Sequence, residues 1–417
     1  MFVNSDCVVF YKTNLVSMSY KARNQWLYFG ILDFILFLFI SGCLLHHTDD
    51  KISKAPLGLL AILFSNSNPY LNSAELYDPA TQSFSFVKNS LNFPRYHHTS
   101  SILQDGRVVI TGGYYPYFES YLLDQIEIYD PNLDTFQNST QNLLMPRNLH
   151  TATLLQDGTI LITGGRCLSD SPATNKTEIF DPQTQTSTWA GNLNIARCRH
   201  QSVLLSDGKV LVVGGVDPIS GNGILPVEVY DPVSKTFSLK GNLLQPRYNF
   251  SVLAPNIGNP ILIGGVNYSS ATNSYSTLSE TERFNEVTGL LSVGPSLRKP
   301  LRSFTANLLQ DGKILITGGS NEDGTSDSIQ ILDTTFTEIS PKMSVSRQFH
   351  TGTVLNNGNV LIAGGRTSNV VHLEAEVFDP NSNSLSSTGS LLQQRYDATS
   401  HPLQNGKVLI LGGRSSY

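Results

Sequence analysis

The sequence predicts an all-β chain: a seven-bladed β-propeller with four antiparallel strands per blade. Three recurring features carry that prediction: a Gly-Gly pair, a tight turn before it and a Tyr-Asp-Pro turn after it. The Gly-Gly closes a short apolar run at residues 112–113, 164–165, 214–215, 264–265, 318–319, 364–365 and 412–413. Its second glycines are 52, 50, 50, 54, 46 and 48 residues apart. A period of about fifty residues with four strand-like segments in each is the signature of a radial β-array.

One repeat justifies its elements in order. A first strand over 150–155 (HTATLL) meets a turn at Asp157-Gly158, and a second strand over 159–163 runs into the Gly-Gly. The Asp-Gly or Asn-Gly turn recurs at 105–106, 207–208, 311–312, 357–358 and 405–406. Such dipeptides accept positive φ and suit antiparallel hairpins. Second strands such as 210–213 (VLVV) and 314–317 (ILIT) show no polar alternation, which predicts burial on both faces. A third strand then ends in a turn, in which Asp bonds its local backbone and Pro fixes φ. That turn begins at Tyr77, Tyr129, Phe180, Tyr230 and Phe378, and is degenerate at Phe284 and Leu332. A fourth strand, 186–189 in this repeat, completes the blade.

The repeats are cut within a blade. Tyr77 precedes any Gly-Gly, and the last Gly-Gly is followed by no third strand. Residues 74–87 are therefore expected to supply the outer half of a blade whose inner half comes from 395–413, a closure that removes free sheet edges. The propeller is assigned to residues 71–417. Residues 59–64 (LLAILF) stand where a second strand would precede Tyr77. They read either as a relic strand or as a packed lead-in.

The Arg147-x-x-His150-Thr151 opening, the Asp-Gly hairpin, the Gly-Gly and the Tyr-Asp-Pro together resemble the kelch-repeat β-propellers, including the central domain of galactose oxidase. The resemblance covers roughly residues 71–417. It implies a fold, and one enzyme hypothesis. Copper-radical oxidases of this kind need a Cys–Tyr crosslink between neighbouring blades, a Tyr-His pair and a further His. Cys198 and Tyr248 occupy equivalent positions in adjacent blades, and Tyr96-His97 is a Tyr-His dipeptide. The oxidase pattern sets its Cys one residue nearer the Gly-Gly, however, and Tyr96 and Tyr396 recur at the Tyr248 position. A carbohydrate isomerase is a further reading, with no residues to mark it.

Aligned on the Gly-Gly, the repeats predict an internal ion pair per blade. Eighteen residues before each second glycine stands Arg95, Arg147, Arg197, Arg247, Leu301, Arg347 or Arg395. Two residues before the aromatic or Leu of the third strand stands Glu127, Glu178, Glu228, Glu282, Gln330 or Glu376, with Glu75 from the N-terminal half-blade. The repeat without the Arg also lacks the Glu, and neighbouring Arg302 is a substitute candidate there. The expected pairs run Arg95–Glu127 through Arg395–Glu75, each Arg holding its carboxylate bidentately. An anion-binding ring is the functional alternative. His98, His150, His200 and His350 share one repeat position with Phe250, Phe304 and Ala398; this exchange favours packing over metal ligation.

The N-terminal region is read as an address. Residues 26–45 are almost wholly apolar, with Asp33 the one charge. Lys21 and Arg23 give a basic start, and Ile40-Ser41-Gly42-Cys43 resembles the lipobox of bacterial lipoproteins. That resemblance implies cleavage before Cys43, its acylation and retention in the cell envelope, with Leu44 fitting the outer membrane. Residues 1–42 then form the signal region, with Met18 as the expected start, and 43–70 the lipidated Cys and tether. A signal anchor spanning the bilayer and ordinary secretion are the alternatives.

A net charge of −5 without a basic cluster argues against nucleic acid. Cys167 and Cys198 are a candidate disulfide in an oxidising compartment. No catalytic triad, zinc-spaced cluster or phosphate loop is present, so no cofactor and no metal are expected. The functional expectation is a monomeric propeller whose loops bind a protein or carbohydrate partner; a structural envelope role is the alternative. The binding candidates are Tyr114, Tyr115, Tyr117, Phe118 and Tyr121 in one long loop, and Tyr268 and Tyr275 in another. Tyrosines combine contact area with a polar tip; packing of the loops on themselves is the competing reading.

Overall fold

Seven four-stranded antiparallel sheets follow one another around a closed ring. The computed structural model describes residues 68–117, 121–168, 172–217, 220–255, 259–269 and 272–416. Phe118, Cys43 and the 59–64 segment lie outside these residues. The propeller forms a compact unit starting at Asn68, three residues before the expected boundary.

Blade 1 comprises Thr99–Ile102, Val108–Thr111, Ile126–Asp130 and Thr135–Asn138. Blades 2 to 6 repeat the arrangement. Blade 7 takes Thr399–Pro402 and Val408–Leu411 from one end of the chain and Ala74–Asp78 and Ser83–Phe86 from the other. Its seam is the antiparallel pairing of Leu76 with Leu409 and Glu75 with Ile410. The innermost strands touch in sequence from blade 1 to blade 7 and back to blade 1.

Second strands are buried at every position, as in Val108–Thr111 and Val210–Val213, because neighbouring blades cover both faces. The core is accordingly seven separate clusters between blades. One packs Val109, Ile126 and Ile128 of blade 1 on Ile160, Ile162 and Phe180 of blade 2. Each such aliphatic side chain contributes roughly 1.5–3 kcal/mol on burial. Turn carboxylates cap the outer hairpins: Asp130 Oδ1 accepts from Asn132 N at 2.8 Å, and Asp181 repeats this with Gln183.

The Gly-Gly joins blades. Gly165 N donates to Arg197 O of the next blade at 2.8 Å. Gly164 has φ +59°, and a Cβ there would stand 2.5 Å from that same carbonyl oxygen. At Gly165, φ is +94° and a Cβ would stand 2.6 Å from Asn148 O. Left-handed backbone and absent space both require glycine.

Each repeat arginine sits beneath this junction, fully buried. The Arg–Glu separations are 2.6 Å (Arg95–Glu127), 2.6 Å (Arg147–Glu178), 2.8 Å (Arg197–Glu228), 2.6 Å (Arg247–Glu282), 3.0 Å (Arg347–Glu376) and 2.7 Å (Arg395–Glu75). The pairs are not bidentate, contrary to the sequence expectation. Arg147 gives only Nη2 to Glu178, while its Nη1 donates to Gly164 O at 2.7 Å and Lys176 O at 3.1 Å. Glu178 uses its second oxygen to accept from Leu144 N at 2.7 Å. The guanidinium fork is divided because the bare glycine carbonyl needs a donor as much as the carboxylate does. In blade 5, Arg302 does not replace the missing arginine: it turns to Thr277 and Glu322, and Gln330 accepts from Arg298 N instead.

Candidate functional site

The Gly-Gly pairs, the long loops and the inter-blade connections share one face of the ring, here called the axial face. Two residues beyond each repeat arginine, or Leu301, the backbone turns left-handed: His97, Leu149, Arg199, Asn249, Ser303, Phe349 and Asp397 all have φ between 51° and 55°. Leu149 N donates to His97 O, Arg199 N to Leu149 O, and Asp397 N to Phe349 O, each at 3.0 Å. These seven residues form a collar around the axis. Sequence reasoning missed them as a group. Their fixed offset from the arginines was a usable signal, and their side chains vary where the framework repeats.

The collar is polar on one side. His97 Nε2 faces Asp397 Oδ2 at 3.6 Å. Burial raises the Asp397 carboxyl to about 6, although Arg366, Arg199 and Arg414 pull it down. Burial, then Arg199 and Arg414, lower the His97 imidazole to about 3. At neutral pH the pair is thus a carboxylate beside a neutral imidazole. Arg414 lies over the rings of Tyr70 and Tyr96 at 5.1 and 5.0 Å, and Arg366 over Tyr396 at 4.6 Å.

The two tyrosine loops behave differently. Tyr115 and Tyr117 pack edge-on to each other and to Tyr70, and Tyr114 stacks with Tyr121 and meets Tyr96 edge-on. That loop is largely self-packed against the chain's entry into the propeller. Tyr268 and Tyr275 instead form a cross-strand pair in a small hairpin, Val266–Ser269 with Ser274–Thr277, their rings 4.8 Å apart. The hairpin walls a cavity of about 930 Å³, lined also by Arg199, Tyr248, Asn249, Arg302 and Glu322. Burial holds the Tyr248 phenol above its ordinary value against the pull of Arg199 and Arg302, so it remains a hydrogen-bond donor.

No family model matches the chain. Galactose oxidase of Gibberella zeae is 35% identical over 112 residues, which is 26% of this chain and 16% of that protein. The chain therefore matches about a sixth of the length of that curated relative. A solved structure described as a novel fungal alcohol oxidase of the AA5 family, in complex with copper, superposes with a TM-score of 0.61 at 18% identity, covering 76% of this chain and 74% of that one. The structure of YjhT gives a TM-score of 0.55 at 15% identity, covering 71% of this chain and 98% of that one. The chain is a kelch-type β-propeller.

The oxidase relatives raise the question of copper, and the described residues of this kelch propeller do not assemble the donor set. Cys198, the candidate for a Cys–Tyr crosslink, is joined to Cys167 in a disulfide with Cα atoms 6.1 Å apart. Its sulfur is thereby unavailable to Tyr248. His97 is turned to Asp397, and among the described residues no three His, Cys, Asp or Glu side chains stand close enough to hold a metal ion. The four repeat histidines are committed elsewhere: His150 Nε2 meets Thr99 and Thr111 hydroxyls of the preceding blade at 2.9 and 3.0 Å, His200 and His350 repeat this, and His98 Nε2 meets the Thr399 hydroxyl at 3.1 Å.

Proposed function

We propose that this kelch propeller is a saccharide-recognition protein held at the bacterial cell envelope. The cavity between the Tyr268–Tyr275 hairpin and the collar carries this reading. Aromatic faces that can stack on a sugar ring stand there beside Tyr248, Asn249 and two guanidiniums, all able to donate to hydroxyl oxygens. The partial likeness to a protein named galactose oxidase supports a sugar as the class of ligand. Replacing Tyr268 and Tyr275 together by Ala should abolish retention on a glycan panel without lowering the melting temperature. Both residues belong to an outlying hairpin rather than to a blade core. Retention of glycans by the double variant would overturn the reading.

The envelope address rests on the apolar 26–39 run and the Ile-Ser-Gly-Cys box. The chain enters the propeller on the axial face, where Asn68 Nδ2 donates to the Tyr115 hydroxyl at 3.3 Å. Expression with a labelled fatty acid should mark the wild-type chain and leave Cys43→Ser unmarked; equal labelling would refute acylation.

A second reading, a carbohydrate oxidase, is favoured only by the relatives. The Cys167–Cys198 bond opposes the copper-radical version of it.

A further inference from the structure

We infer that the saccharide taken by this cavity is acidic, with its oxyanion held between Arg199 and Arg302. The inference rests on the proposed saccharide site and specifies its ligand. Six arginines of the blades are buried against glutamates. Arg199 breaks that rule. It stands half-buried in the collar, and its guanidinium makes no hydrogen bond or ion pair with any described residue. Arg302 is held loosely, with Nη1 donating to Thr277 Oγ1 at 3.1 Å and 3.9 Å from Glu322 Oε1.

Both arginines line the same cavity and both act on the Tyr248 phenol. They reach the cavity from the starts of blades 3 and 5, on either side of the blade that carries Tyr248. Further arginines, Arg366 and Arg414, act together with Arg199 on the single Asp397 carboxylate on the same face, so three guanidiniums share one opposing charge. The carboxylates within reach are few and engaged. Asp397 faces His97 at 3.6 Å, Glu322 accepts from Thr277 N and Oγ1 at 3.0 and 2.7 Å, and Asp217 accepts from Ser220 Oγ at 3.0 Å. A chain of net charge −5 thus concentrates positive charge around this cavity. A guanidinium pair beside aromatic rings matches an oxyanion carried on a sugar ring. Arg serves both parts, because its fork binds oxyanions and its plane tolerates aromatic neighbours.

The oxyanion could be a carboxylate or a sulfate ester, and titration distinguishes the two. The full-length chain in detergent is titrated with galacturonate, galactose 6-sulfate and galactose at low and moderate salt. At least one acidic sugar should bind tenfold or more tightly than galactose, with the margin shrinking as salt rises. The tighter of the two names the oxyanion. Arg199→Gln should erase the margin, whereas Arg199→Lys keeps part of it. Both should melt with the wild type, since the one collar bond of Arg199, from its backbone N to Leu149 O, does not involve the side chain. Equal binding of galactose and both acidic sugars would overturn this inference and leave the saccharide reading standing. An unchanged margin in Arg199→Gln would likewise overturn it. Failure of all three sugars, and of every glycan on the panel, would overturn both.

Discussion

Arg147→Leu is expected to destabilise the propeller by about 3–5 kcal/mol, and Glu178→Gln by a similar amount. Either change strands a buried partner. Without Arg147, the Glu178 carboxylate keeps only the Leu144 amide, the Gly164 carbonyl loses the guanidinium donor, and the Lys176 carbonyl is left with the Gly164 amide at 3.3 Å. Burial already pulls the Arg147 guanidinium below its ordinary value, with Glu178 the main force restoring it. Removing that carboxylate leaves the desolvation uncompensated. Blade 5 shows what the molecule does without the pair: Leu301 and Gln330 occupy the two positions, both buried. The double variant Arg147→Leu/Glu178→Gln reproduces that blade. It should recover well over half of either single loss, giving a strong coupling energy in a double-mutant cycle. Urea unfolding of the four proteins measures this. Additive losses would show that the arginine acts through the glycine carbonyl alone. The same substitutions at Arg395 and Glu75 should cost at least as much, because those residues also bind the two chain ends across the blade 7 seam.

Blade number, strand order and the seam were legible because they are properties of a period, and a period survives local variation. Residue-level roles were legible only where the partner lies at a fixed offset. The arginine and glutamate satisfied that condition, yet the division of the guanidinium fork did not, because the competing acceptor is a glycine carbonyl with no side chain to read. Arg302 was misleading for the same reason: proximity in sequence to Leu301 says nothing about a side chain that the collar turns outward. A further regularity was present and unread. Thr closes the second strand at Thr111, Thr163 and Thr317, and the next blade then carries His150, His200 or His350. Where Val213 or Ile263 stands instead, the next blade carries Phe250 or Phe304. The cavity was half legible. Tyr268 and Tyr275 could be picked out by type, but their hairpin and the collar opposite come from blades that only the closed ring brings together.

The buried histidines make the fold acid-labile, and the sign follows from their environment. Burial lowers the imidazoles of His97 and His98 to about 3 and that of His401 to about 4. It also holds His150, His200 and His350 well below the ordinary 6.5, with Arg147, Arg197 and Arg347 adding to the effect. Between the unfolded value of 6.5 and these lower values, the unfolded chain binds more protons than the native one. Stability from these groups is therefore complete above pH 6.5 and is lost as pH falls. The loss approaches about 1.4 kcal/mol per histidine for each pH unit. Asp397 works in the opposite direction: with its carboxyl raised to about 6, the native state gains protons below that pH. One carboxyl does not offset six imidazoles. The urea midpoint should fall steadily from pH 7 to pH 5, by several kcal/mol in free energy. The Val213–Phe250 arrangement supplies the control. Thr163→Val/His200→Phe installs the same apolar contact between blades 2 and 3 and removes one titrating group. It should flatten the pH slope by about a sixth, one histidine of six, and raise stability at pH 5 more than at pH 7. A slope identical to the wild type would assign the acid sensitivity to the arginine–glutamate pairs instead.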